Sequence, residues 1–145
     1  MGVKMAAADL GLELKKQPDF GDPAVRKKLG RTAIEAVLKI AEKWNLKNEE
    51  TMALLGGISN GRYYELKRTH KGVLTQDELT RISLLIGIFK ALNTLFQGAL
   101  ANEWISRRNS NPMFNNAPPL SRMIESGIPG MMAVRRLLDA RVNGG

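Results

Sequence analysis

The sequence predicts an all-α protein: an N-terminal helix-turn-helix-like helical bundle followed by a small helical domain. Three observations predict it. Apolar residues recur at steps of three and four, as in Ile34, Val37, Leu38, Ala41 and Trp44, the period of a helix buried along one stripe. Helix-start and helix-stop signals punctuate the chain at short intervals, among them Asp22-Pro23, Thr75 with Glu78, and Gly127. A Gly56-Gly57 break separates two short helical stretches in the first half.

Residues 1 to about 21 have scattered apolar positions (Leu10, Leu12, Leu14) and a Gln17-Pro18-Asp19 break. They read as a weakly ordered arm with one short helix at most. At Asp22-Pro23 the signals sharpen. The Asp22 carboxylate suits the free N–H groups of a first turn, and Pro23 is tolerated at the first helical position. Gly30 suits a left-handed stop. Thr32 with Glu35 then forms a capping box for a helix that buries Ile34, Val37, Leu38, Ala41 and Trp44 and leaves Glu35, Lys39, Glu42 and Lys43 in water.

Two shorter helices are expected next. Asn48 caps the first, with Glu49 and Glu50 in a first turn where carboxylates suit the helix dipole. Ser59 caps the second, which runs to about Arg68. A short helix, a glycine-containing turn and a second short helix is the pattern of a helix-turn-helix unit. The second helix supplies the candidate DNA contacts Ser59, Asn60, Arg62, Tyr63, Lys67 and Arg68. Arginine pairs bidentately with guanine and asparagine with adenine, while tyrosine and lysine reach phosphates. Spacing alone fits two core helices with a solvated basic face equally well.

Lys71-Gly72 ends that unit, and Thr75 with Glu78 opens the longest helix through a second capping box. Its polar positions are Thr80, Ser83, Gly87, Lys90, Thr94 and Gln97; the opposite face holds Ile82, Leu85, Ile86, Phe89, Leu92, Leu95 and Phe96. So wide an apolar face is expected to pack partly under the helix-turn-helix unit and partly under the C-terminal residues. A share is left for a homodimer interface, although a purely intramolecular core accounts for it as well. A further helical run follows over Ala99 to Arg107. Asn109 to Pro119 is excluded from regular helix by its Asn-Pro, Asn-Asn and Pro-Pro steps. Ser121 to Glu125 is a short helix that stops at Gly127. Pro129 starts the last helix, with apolar Met132, Val134, Leu137 and Leu138 and with Arg135, Arg136 and Arg141 near its polar side. Gly144-Gly145 reads as a flexible end.

Composition narrows the function. The 145 residues fit one domain, or two small ones sharing a core. With 43% hydrophobic and 25% charged residues, wholesale disorder is excluded. The richest apolar run, Leu84 to Leu100, is interrupted by Lys90, Asn93 and Gln97, so no membrane span is expected. The first residues lack the apolar core of a secretory signal. The absence of cysteine excludes disulfide and thiolate chemistry and suits the cytoplasm. A lone histidine, His70, excludes a histidine metal cluster or catalytic dyad within one chain and reads as a surface loop residue. Gly56-Gly57 and Gly61 lack the spacing and lysine of a phosphate loop. The pairs Glu49-Glu50 and Asp77-Glu78 sit in helix first turns, a place that explains them without acid–base catalysis. The seven methionines are read as core and interface filler. No enzyme, cofactor or metal site is expected. The formal charge is +8, with 14 basic against 9 acidic residues through Leu74 and 8 against 5 beyond it. Such a balance suits a polyanion such as DNA, and also plain solubility.

The C-terminal residues carry a resemblance. Trp104, Asn111-Pro112-x-Phe114, Pro119-Leu120, Met123 and Val134-x-x-Leu137-Leu138-Asp139-Ala140-Arg141, ending in Gly-Gly, resemble the toxin-binding domain of the Xre–MbcA–ParS antitoxin family. Upstream, Trp44-x-Leu46, Leu54-Leu55-Gly56-x-Ile58-Ser59 and Tyr63-Tyr64-x-x-Lys67 resemble the Xre-like helix-turn-helix of the same family. The helix from Arg81 to Phe96 fits the element that opens the toxin-binding domain. The match covers roughly residues 31 to 145.

The resemblance implies an antitoxin of a RES–Xre type II toxin–antitoxin system. Its relatives neutralise a RES-domain toxin that destroys NAD, and their helix-turn-helix serves operator binding and autorepression. It further implies that the last helix and tail cover the toxin's active site, with Met131, Arg135, Arg136, Leu138, Asp139, Arg141, Asn143 and Gly144 as toxin-binding residues. The arginines would meet acidic groups or occupy an anion site, with Leu137 and Leu138 packed beneath. The implied division is an N-terminal arm over 1–30, partly ordered, an Xre-like helix-turn-helix domain over 31–74 and a toxin-binding domain over 75–145. A cytoplasmic homodimer within a larger toxin–antitoxin complex is the expected assembly. The alternative is a stand-alone helix-turn-helix transcriptional regulator with a C-terminal dimerisation or protein-binding domain.

Overall fold

Asp22 opens the first helix as the sequence indicates. Its Oδ1 accepts from the Ala24 N–H at 2.9 Å, and Pro23 takes the first helical position. The computed structural model describes residues 19–144, so the arm expected before them, with its short helix, and Gly145 lie outside the described residues. Helix α1 (Pro23–Lys43) does not stop at Gly30. It runs unbroken for 21 residues, so Thr32 and Glu35 lie inside it and form no capping box. Gly30 serves close approach: a Cβ built there would sit 2.8 Å from the Gly72 carbonyl oxygen. The missing side chain lets the segment after α3 (Asn60–Thr69) cross α1 at backbone contact.

Helix α2 (Asn48–Leu54) is capped one position earlier than expected. Lys47 is the capping residue, and its N–H donates to Glu50 Oε1 at 2.8 Å. Asn48 thus falls in the first turn, with its side chain turned across to α3. Between the two helices Gly56 (φ +100°) and Gly57 (φ +76°) take the left-handed conformation that only glycine adopts without strain. Ser59 Oγ then accepts from the Arg62 N–H at 3.2 Å to start α3, as expected. His70 closes α3 in the left-handed region, its Nδ1 3.2 Å from Glu35 Oε2 on α1.

Helix α4 (Gln76–Leu95) starts with the capping box read from Thr75 and Glu78. The Glu78 N–H donates to Thr75 Oγ1 at 3.0 Å, and the Thr75 N–H donates to Glu78 Oε1 at 2.8 Å. This helix is the spine of the molecule, packed by α1 and by α7 (Ile128–Val142). Leu79, Ile82, Leu85, Ile86, Ile88, Phe89 and Leu92 are all buried, and Phe89 meets Trp44 of α1 with ring centroids 6.2 Å apart. Ser83 and Gly87 belong to the expected polar stripe, yet both are buried; Gly87 lies directly under Arg135 of α7. Most of the expected apolar face is thus buried within the chain, while Leu95 and Phe96 at its end are only partly covered.

After α4 the chain forms α5 (Ala99–Glu103), continues as a 3₁₀ turn over Trp104–Ser106 and enters the Asn-Pro corner. Asn109 Oδ1 accepts from the Asn111 N–H at 2.9 Å, and Asn111 Oδ1 accepts from the Met113 N–H at 3.0 Å. These bonds set a 3₁₀ turn over Pro112–Phe114. Phe114 is buried and meets Trp104 edge to face, at 6.0 Å and 84°. Helices α6 (Pro119–Ser126) and α7 form a hairpin about Gly127 (φ +63°). The hairpin is tight: a Cβ on Gly130 would lie 2.6 Å from the Arg122 carbonyl oxygen. The inward register of α7 is Met131, Val134 and Leu138, whereas Met132, expected inside, is exposed. One continuous apolar cluster joins α1, α3, α4, α6 and α7, with no strand among the described residues.

Candidate functional site

The exposed face of α3 differs from the one expected. Tyr63 is buried with Leu66 against the core, and Arg62 is held by Glu78 rather than presented outward. Its Nε donates to Glu78 Oε2 at 2.9 Å and its Nη2 to Oε1 at 2.6 Å. Glu78 is 5% exposed. Burial acts to raise its pKa, but the Arg62 hydrogen bond, the Thr75 N–H and the Arg62 charge together hold it below the ordinary glutamate value. The hydrogen bond from Arg62 to Glu78, against burial, raises the Arg62 pKa in turn. Arg62 therefore fastens α3 to the first turn of α4, and as a base reader it is already occupied.

The groups of α3 that do face solvent are Asn60, Tyr64, Glu65, Lys67 and Arg68, with Gly61 between the first two. Ser59 is exposed at the cap, its hydroxyl oxygen taken by the Arg62 N–H. Arg68 Nη2 lies 3.0 Å from both oxygens of Glu65 one turn back, an exposed pair that an approaching phosphate can compete for. Asn48 of α2 organises the neighbouring groups. Its Nδ2 donates to Tyr64 Oη at 3.1 Å, and its Oδ1 faces Lys67 Nζ at 3.4 Å and Tyr63 Oη at 3.3 Å. The sequence reading missed Tyr64, which is half exposed, and Asn48. A signal for Tyr64 was available: Tyr63 and Leu66 share the apolar spacing of α3, so Tyr64 had to point away. An open cleft of about 630 Å3 lies between α1 and α3, where Glu35 and Glu42 offset Lys39 and Lys67. The cationic character of α3 therefore does not extend into it.

The residues expected at the toxin interface divide into two groups. Met131 and Leu138 are fully buried and hold α7 to the core, so no partner reaches them while α7 stays packed. Arg136, Arg141, Asn143 and Gly144 are exposed, and Arg135 and Asp139 are partly so. Arg135 Nε lies 3.5 Å from Asp139 Oδ2, one turn on. Arg136 and Arg141 make no ion pair among the described residues. The exposed part of α7 thus includes Arg136 and Arg141 together with Met132 and Val142, the last two both about 40% exposed.

The antitoxin Xre-like helix-turn-helix domain family matches residues 22–87 of this sequence. The uncharacterized protein y4oB of Sinorhizobium fredii is similar over a longer span, 32% identical across 112 residues that make up 77% of this chain and 84% of that protein. The chain belongs to the Xre-like helix-turn-helix antitoxin family. Membership makes it a helix-turn-helix protein of the DNA-binding antitoxin or regulator type, and the family match agrees with the structure in its limits. It begins at the Asp22 cap and ends within α4, at Gly87, so it takes in the Arg62–Glu78 clamp. No group of His, Cys, Asp and Glu that could hold a metal ion occurs among the described residues. No helix among them is long and apolar enough to cross a membrane.

Proposed function

We propose that this family member is the antitoxin of a type II pair that inhibits a RES-domain, NAD-degrading toxin and represses its own operator. In this reading α3 with Asn48 meets DNA, and α7 with the tail covers the toxin's active site. Family membership, together with a cationic outward face on α7 that lies beyond the matched helix-turn-helix residues, carries the proposal. Arginine suits an inhibitory face because its planar fork makes several charge-assisted bonds at once. The inhibitory surface consists of Arg135, Arg136, Asp139, Arg141, Asn143 and Gly144, with Met131 and Leu138 as the support beneath.

Two measurements test it. Cells co-expressing a RES-domain, NAD-degrading toxin should keep their NAD with the parent chain and lose it with the Arg136→Glu/Arg141→Glu variant, whose changes are exposed and spare the core. Preserved NAD with that variant refutes the α7 inhibitory face. For DNA, Lys67→Ala should weaken operator retention and reduce the salt slope of log K by about one. Asn60→Ala should weaken retention with little change in slope, because it reads bases rather than phosphate charge. Operator binding without any effect on NAD would leave a stand-alone regulator.

A further inference from the structure

Gly87 stands in the middle of α4, buried, at a position where alanine would favour the helix. Nothing in the α4 backbone requires it; the reason lies on α7. A Cβ built on Gly87 would come 2.5 Å from Arg135 Nη1 and 2.6 Å from its Nε. The Arg135 guanidinium therefore lies against bare α4 backbone, and any side chain at 87 would lift it off. The arginine side chain is only 33% exposed. Its ion-pair partner among the described residues, Asp139, sits 3.5 Å away on the Nε side, longer than a good charge-assisted bond. The terminal Nη1–Nη2 edge is left for something else.

Building on the reading of α7 as the partner-facing helix, we infer that Gly87 is a positioning residue: it seats Arg135 so that its terminal edge receives a carboxylate of the partner protein. A half-buried guanidinium resting on a helix has lost most of its rotamer freedom before binding, so less entropy is lost when the partner arrives. Two parallel N–H groups match the two oxygens of one carboxylate. The nearby Asp139 charge offsets part of the Arg135 potential, which suits a singly charged carboxylate better than a doubly charged phosphate.

The test uses the full chain and a RES-domain toxin carrying an inactivating substitution, and measures affinity by calorimetry alongside thermal unfolding of the free chain. Gly87→Ala should weaken binding about tenfold. Its unfolding midpoint should stay level or rise by up to about 3 °C, because only the end of a flexible side chain must move and alanine favours the helix. Arg135→Ala should weaken binding further, and Gly87→Ala/Arg135→Ala should bind no worse than Arg135→Ala alone, because the glycine acts through the arginine. Parent-like affinity for Gly87→Ala, or additive losses in the double variant, overturns the inference. Arg136→Glu separates the two levels. If it weakens binding while Gly87→Ala and Arg135→Ala do not, the seat alone is wrong. If none of the three changes affinity, or the parent itself does not bind, α7 does not face this partner and the inference falls with that reading.

Discussion

Replacing Glu78 by glutamine probes the contact that ties the recognition helix to the rest of the fold. Glu78 accepts from Thr75 N–H, Arg62 Nη2 and Arg62 Nε, at 2.8, 2.6 and 2.9 Å. Glutamine keeps one oxygen and turns an amide N–H2 toward an Arg62 donor, so one charge-assisted bond is lost and two donors oppose each other. Removing one member of a fully buried ion pair costs about 3–5 kcal/mol. The Arg62 side chain here is 36% exposed, so water recovers part of that. A loss of about 2 kcal/mol is the expected result, close to the worth of one hydrogen bond to a charged group. For a chain of this length it lowers the thermal midpoint by roughly 6 °C. The pH dependence gives a second reading. The folded-state pKa of Glu78 lies below its unfolded-state value of about 4.3, so unfolding takes up a proton in acid. The stabilisation is complete above that value and is lost as the pH falls through the folded-state pKa. Urea unfolding followed by circular dichroism should show a full gap between parent and Glu78→Gln at pH 7, narrowing below about pH 4. A gap under about 0.5 kcal/mol at pH 7, the scatter of an ordinary surface change, or one that stays constant into acid, would refute the clamp.

Two glycine-to-alanine changes should move stability in opposite directions. Gly30→Ala places a Cβ 2.8 Å from the Gly72 carbonyl oxygen, which is backbone and yields little; a net loss of about 1–3 kcal/mol in chemical denaturation is expected despite alanine's helix preference. Gly61→Ala meets nothing within 4 Å and should stabilise the free protein by about 0.5–1 kcal/mol, while reducing operator retention in a gel-shift assay where α3 approaches DNA closely.

What was legible in the sequence follows from the range of each interaction. Asp22-Pro23, Ser59 and the Thr75–Glu78 box were readable because a cap joins atoms within three residues. The long apolar pattern of α4 was readable because periodicity needs no partner. Gly30 was misread because a glycine inside a helical pattern marks either a stop or a close contact, and the contact, Gly72, lies 42 residues on. Arg62 was misread for the same reason. Its residue type and place on the second helix of a helix-turn-helix match a base reader, and its actual partner lies 16 residues further along the chain. The local role of Glu78 in its capping box was plain, but the same carboxylate has a second oxygen, and which distant donor it meets is a tertiary fact. Met131 and Met132 show the finest limit. Two adjacent identical side chains differ only in helix phase, and a short helix opened by Ile-Pro-Gly has too little pattern to fix that phase.

The corrections to Arg62 and Gly87 converge on α4. At its first turn Glu78 holds the recognition helix; nine residues later, about 13 Å along a rigid helix, Gly87 accommodates Arg135 from the last helix. Both attachments are made by the spine rather than by the surfaces they serve. Neither looks functional by residue type: one is a capping glutamate, the other a helix glycine. Their significance comes from what they hold, an arginine in each case, and the two arginines have opposite fates. Arg62 is satisfied by a buried carboxylate and becomes structure, whereas Arg135 has only a loose, half-exposed aspartate and keeps an open edge. An arginine on a candidate interface is therefore better judged by what already satisfies its guanidinium than by its position on a helix, and by that measure Arg135 is freer to take a partner than Arg62.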